Sequence, residues 1–323
     1  MAKKPTKISK TRQQTHRFLY YDLSHTGNDQ EDFHYIDLAR DMSLMNRRLY
    51  RQGMCYHVAN ITVHDSQGDV SIKFGTAPNT WATYRAWKLV FDAWKAQRAE
   101  VLEDTGMSAP KWSDFKVYLN KDMVNDVDAL PTPRNIEQQA LRPGSWDYAD
   151  MSFTQTALTY DNHAVGLLGI HGIGSSITSP TSGDDQSYDG YIGAIQALDD
   201  IRRSPANTEV ANDDVTDMLS FKLSTGAQTS DILEQLEDEG MTPPYSTNLV
   251  GTQENPSGGN DSFAVREAHI ASTYSPIAHI GGFPVPCGLI QVETKCSSAN
   301  TVGILIELVP GDYKGVHALP MGA

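Results

Sequence analysis

MCYHVANITVHDSQGDVSIKF, residues 54–74, decides the fold class. In its second half Val70, Ile72 and Phe74 alternate with Ser71 and Lys73, the period of a strand with one buried face. In its first half the apolar phase slips by one between Val58 and Ile61, which a β-bulge produces. The polar DSQGD between them turns the chain, so the stretch predicts two strands joined as a hairpin.

Working toward the N-terminus, DFHYIDLARDMSLMNRRLYRQG (32–53) places Leu38, Met42, Met45 and Leu49 on one helical face, with Gly53 as its stop. Arg47, Arg48 and Arg51 would then lie in the last turns, where cations complement the helix dipole. RFLYYDL (17–23) reads as a strand. Toward the C-terminus, Asn79 is an N-cap for a second helix in which Trp81, Tyr84, Trp87, Phe91 and Trp94 form one stripe. The opposite side carries Arg85, Lys88 and Asp92, so the stripe is expected to be core.

Further short strands are expected at 115–119, 150–159, 164–170, 217–223, 266–274, 287–294 and 302–309, the last two as a buried hairpin. VGILIELV (302–309) is the most continuous apolar run and predicts a strand covered on both faces. Residues 172–262 are polar and rich in Gly, Ser, Asp and Pro, with one short helix at 230–240, and read as long loops or a surface projection. Many short strands, two early helices and no βαβ alternation predict a mainly β fold, a β-sandwich with two helical insertions and long polar loops.

Charge is distributed unevenly. The chain carries −14, yet Lys3, Lys4, Lys7, Lys10, Arg12 and Arg17 stand in the first 17 residues without one Asp or Glu, leaving −20 for the remainder. A basic arm (1–17) on an acidic body (18–323) suits a polyanion such as nucleic acid, bound through its phosphates and without base specificity.

Most enzyme signatures are absent. No Gly-Lys dipeptide occurs, which excludes the phosphate-binding GxxxxGK[ST] loop. The histidines form no HExxH or HxxEH, and GxSxG is missing. Asp104-Thr105-Gly106 spells the aspartic-protease tripeptide, but that chemistry needs two copies and here the tripeptide ends a helix. GIHGIGSS (169–176) lacks the GxGxxG spacing and reads as a loop. Cys55, Cys287 and Cys296 form no CxxC pair and read as buried thiols. Asp184–Asp185, Asp199–Asp200 and Asp213–Asp214 have no EF-hand spacing and read as solvated loop carboxylates. The expectation is a non-enzymatic protein without cofactor or metal, and no apolar run is long enough to predict a membrane helix.

IDLARDMSLMNRRLYRQG (36–53), TVHDSQGDVSIKFGTAPNTWATYRAWKLVFDAWK (62–95), KWSDFKVYL (111–119) and RPGSWDY (142–148) together resemble the coat proteins of circular single-stranded DNA viruses that encode a rolling-circle replication protein. The likeness covers residues 30–150. It implies a jelly-roll subunit that assembles with copies of itself into an icosahedral virion around a single-stranded DNA genome. The arm here is short and only mildly basic compared with the Arg-rich arms of many such proteins. Two other classes compete: a β-sandwich carbohydrate-binding or hydrolase module using the tryptophans as a sugar platform, and a nucleic-acid-binding regulator, which the acidic body and the lack of a helix-turn-helix pattern disfavour.

Overall fold

A computed structural model describes residues 14–106, 108, 112–126, 130–156, 159–169, 190–195, 197–198 and 263–322. In chain order it contains β1 (Phe18–His25), β2 (Glu31–Asp37), α1 (Leu38–Asn46), β3 (Met54–His64), β4 (Val70–Thr76), α2 (Trp81–Thr105), α3 (Lys121–Asn125), β5 (Asp150–Thr156), β6 (Thr159–Gly166), β7 (Gly190–Gly193), β8 (Phe263–Ile270), β9 (Ile277–Gly281), β10 (Pro284–Val285), β11 (Leu289–Cys296), β12 (Asn300–Leu308) and β13 (Ala318–Pro320).

Two antiparallel sheets form a β-sandwich. One has the order β1-β12-β3, with β9, β10 and β13 also pairing along the long β3; the other runs β2-β11-β4-β8. Their facing side chains share one core, to which the first sheet gives Leu19, Ile61, Ile304 and Ile306 and the second gives Ile36, Ile72, Phe74 and Val292. Outward positions pair across strands instead: Lys73 on β4 lies opposite Glu293 on β11, and its ammonium donates to that carboxylate at 2.6 Å.

Residues 54–74 form two strands as expected, and the phase slip is a bulge: Asn60 pairs with Glu307 and Val58 with Leu308, leaving Ala59 unmatched on β12. The hairpin is not formed. β3 and β4 lie in different sheets, so residues 65–69 carry the chain across the sandwich. The same correction applies to the second expected hairpin, because β11 and β12 also lie in opposite sheets. Period-2 alternation reports which face is buried and cannot say which strand lies alongside. Nor is β12 covered on both faces: Val302, Ile304, Ile306 and Leu308 point into the core, while Leu305 and Glu307 remain partly exposed.

α1 begins where its face does but is shorter than its pattern. Asp37 caps it by accepting from the amides of Ala39 and Arg40 at 3.0 and 3.1 Å, and the helix stops at Arg47, whose φ of 53° is left-handed. Arg48 and Arg51 therefore lie beyond the helix, outside the dipole role expected for them. Residues 31–37, most of which open the stretch quoted for the helix and for which no strand was expected, form β2.

α2 starts at Trp81 with Thr80 as N-cap, one residue later than expected, and Asn79 instead accepts from the Tyr84 hydroxyl at 2.7 Å. Thr105 is its last residue and Gly106, at φ 62°, its left-handed end, so Asp104-Thr105-Gly106 is a helix stop as read. Its aromatic stripe is core only at its centre. Trp87 is 6% exposed and stacks on Phe91 with Phe115 edge-on, whereas Trp81 is 49% exposed and Trp94 lies half-buried under Arg98. A sugar platform on this helix would need all three indoles on an open face, and Trp87 is inside.

This helix, α3, the 115–119 segment and the sheet β5-β6-β7 enclose a second core beside the sandwich, within the long connection from β4 to β8. Residues 115–119 are extended, but only Tyr118 bridges, to Gly166 on β6. The three cysteines are free and buried. The expected strand at 217–223, the helix at 230–240, the polar 172–262 stretch apart from residues 190–195 and 197–198, and the three Asp pairs lie outside the described residues.

Candidate functional site

One buried carboxylate organises the surface next to α1. Asp37 is fully buried, and besides capping α1 its Oδ2 accepts from Gln52 Nε2 at 3.1 Å, Trp146 Nε1 at 2.9 Å and the Tyr148 hydroxyl at 3.0 Å. Gln52 also clamps the backbone of Val117, donating to its carbonyl at 3.0 Å and accepting from its amide at 2.5 Å. The separate sequence stretches 36–53, 111–119 and 142–148 are thus tied together by two linked side chains, Asp37 holding Trp146 and Tyr148 and Gln52 holding Val117. Burial pushes the Asp37 carboxyl up, against the pull of Arg40 and its donors.

One turn along, Asp41 is fully buried too and accepts from the Tyr21 hydroxyl at 2.6 Å and from Arg40 Nε at 2.9 Å. Arg40 also donates to the carbonyl of Pro131. Burial raises the Asp41 carboxyl to about 6, with Arg40 and Tyr21 opposing. An acid whose folded pKa lies above its unfolded one binds its proton more tightly when folded, so its contribution is full below about pH 4 and is lost as pH rises through 6. Stability measured by urea unfolding should accordingly rise for the native chain relative to Asp41→Asn, by on the order of 3 kcal/mol between pH 7.5 and pH 4. A difference that falls on acidification would contradict this.

Over the network lies an open cleft of about 430 Å³. Among the described residues lining it, the charged ones are Arg40, Arg47, Arg48 and Lys116, all cationic, and Trp112 and Trp146 supply its aromatic faces. Lys116 is only 6% exposed; its ammonium sits 4.6 Å from the Trp146 ring centroid and donates to the Asp147 carbonyl at 3.1 Å. Burial lowers its pKa, against Asp114 and Asp147. Arg48 stacks at 5.5 Å from the Tyr50 ring, and its buried Nε has no hydrogen-bond partner. Trp112 is 62% exposed. Cations beside indole faces can hold a planar or anionic ligand.

Of the six arm cations, Lys3, Lys4, Lys7, Lys10 and Arg12 lie outside the described residues. Arg17 belongs to the body: its Nη1 donates to the Leu308 carbonyl at 3.0 Å, and its own carbonyl accepts from the Leu308 amide at 3.1 Å. The described chain begins at the cleft wall, where Thr15 accepts from Arg48 Nη2 at 2.5 Å and Asn46 bonds both backbone groups of His16. Sequence reading assigned Arg47 and Arg48 to the end of a helix and gave Lys116 and Trp112 no role. The signal available was the run NRR just past the last buried helical residue, but its partners come from segments about 65 and 100 residues downstream. Among the described residues no cluster of His, Cys, Asp and Glu could hold a metal ion, and no helix is long and apolar enough to cross a membrane. No family model, curated protein or solved structure matches the chain.

Proposed function

We propose that the chain is a coat protein: a jelly-roll subunit that assembles with copies of itself into an icosahedral shell enclosing a single-stranded DNA genome, its basic arm contacting phosphates without base specificity. The observation that carries this reading is strand pairing. β1 pairs with β12, β2 with β11, β3 with β9 and β4 with β8, all antiparallel. The first half of the sandwich thus meets the second in reverse order, as a long antiparallel ribbon does when it is wound into two four-stranded sheets. That pairing supports a jelly roll, a fold used by viral capsids and also by lectins and cupins. The resemblance of residues 30–150 to viral coat proteins and the arm of cations on an acidic chain favour the capsid among these.

The purified protein should sediment as one uniform particle far heavier than a 35.6 kDa chain, and should carry nucleic acid visible in its 260 to 280 nm absorbance ratio. Replacing Lys3, Lys4, Lys7, Lys10 and Arg12 by Ala should leave the particle and lower that ratio. A chain that remains a monomer across concentration and salt contradicts the reading.

A further inference from the structure

We propose that the cleft beside α1 is a second nucleic-acid site, built into the folded body, in which Arg47 and Arg48 hold phosphates of a single strand and a base stacks on Trp112. It goes beyond the arm contact and does not require that the chain form a shell.

Four observations point there. First is charge: on a chain of −14, the described residues lining the cleft include four cations and no acid, although the exposed Asp147 carboxylate accepts from the lining Ser145 at 2.7 Å. Two of these are already committed, Arg40 to Asp41 and the Pro131 carbonyl, Lys116 to the Asp147 carbonyl. Arg48 spends one Nη2 bond on Thr15, and Arg47 is exposed with no ion pair among the described residues. The second observation is Trp112, which leaves 62% of its surface in solvent on the cleft rim although burial would stabilise so large an apolar ring. An indole face beside guanidinium groups is how single strands are bound without regard to sequence, since every base has a π-face.

Third is backbone conformation. Arg47 ends α1 at φ 53°, in the left-handed region where glycine or asparagine is the favoured residue and a long side chain is strained. A cation kept at a position that glycine would fill more stably is explained by what its side chain meets. The fourth observation is continuity. Arg48 is hydrogen-bonded to Thr15, so residue 15 lies beside one of the cleft's cations. A sulfated polysaccharide would be held by the cations alone and would not use the exposed indole for base stacking.

The test is fluorescence anisotropy of labelled dT10 with the full chain, dispersed as subunits, and with Arg47→Gly, Trp112→Ala and the arm variant of five Ala substitutions. Arg47→Gly should keep or raise the melting temperature, because it relieves the left-handed residue, yet weaken dT10 binding about tenfold and make the log affinity against log salt slope shallower by about 0.7. Trp112→Ala should also weaken binding about tenfold, with the slope unchanged. In the arm background the same Trp112→Ala loss should persist. dT10 affinities within twofold of the native chain in both cleft variants overturn the proposal. So does a heparin oligosaccharide that loses as much affinity as dT10 on Trp112→Ala. A chain that binds dT10 through Arg47 and Trp112 but never assembles would sink the coat-protein reading and leave this one standing.

Discussion

Asp37→Ala should lower the melting temperature by on the order of 10 °C or abolish soluble expression. The substitution removes one acceptor group and strands five donors, the amides of Ala39 and Arg40, Gln52 Nε2, Trp146 Nε1 and the Tyr148 hydroxyl. Leaving a buried polar group unpaired costs about 1–3 kcal/mol, and removing one member of a buried charged network costs about 3–5 kcal/mol. The cap of α1 goes with it, worth about another 1 kcal/mol. Asp37→Asn isolates the cause. Asn can keep the two backbone donors on its carbonyl oxygen but turns an NH₂ toward Gln52, Trp146 and Tyr148, so it should lose most of the same stability without any loss of volume. A melting temperature within about 2 °C of the native chain for both variants would show that residues 36–53 and 142–148 are held together by something other than this carboxylate.

Trp87→Ala should cost about 3–5 kcal/mol and give insoluble protein, because it empties the centre of the second core. The indole is 6% exposed, stacks 5.0 Å from Phe91 and meets Phe115 edge-on at 5.8 Å. Gly53 also lies against it, so closely that a Cβ there would fall 2.7 Å from the ring. Position along the stripe should grade the effect. Trp81→Ala removes a ring already 49% exposed and should cost no more than about 1 kcal/mol. Equal losses for Trp81→Ala and Trp87→Ala, read by chemical denaturation of whatever remains soluble, would mean that the stripe is buried as a whole.

The gradient along α2 shows how far sequence reading reaches. Spacing identified the face only in part: of the stripe Trp87 is buried and Tyr84, Phe91 and Trp94 pack half-buried against the second core, but the other fully buried positions are Ala82, Thr83, Ala86 and Val90, and Trp81 is exposed. Periodicity says nothing of where the neighbour ends, and past Trp94 the helix has less to pack on, so a helix of 25 residues buries one half. The two misread hairpins fail for a related reason. Alternation in Val70, Ile72 and Phe74, and the bulge at Ala59, were legible because they are local; that β3 pairs with β9 and β12 instead of β4 is decided by contacts more than 200 residues away. The cleft was the least legible part, as Arg47 and Arg48 acquire meaning only when Gln52 and Asp37 bring Lys116 and Trp146 beside them.

Electron microscopy of the purified protein tests the central claim most directly. The account predicts closed shells of one diameter, retained when the five arm cations at positions 3–12 are replaced by Ala, because in the proposed reading the sandwich would make the subunit contacts. A field of dispersed 35.6 kDa particles at every concentration and salt tried would contradict it.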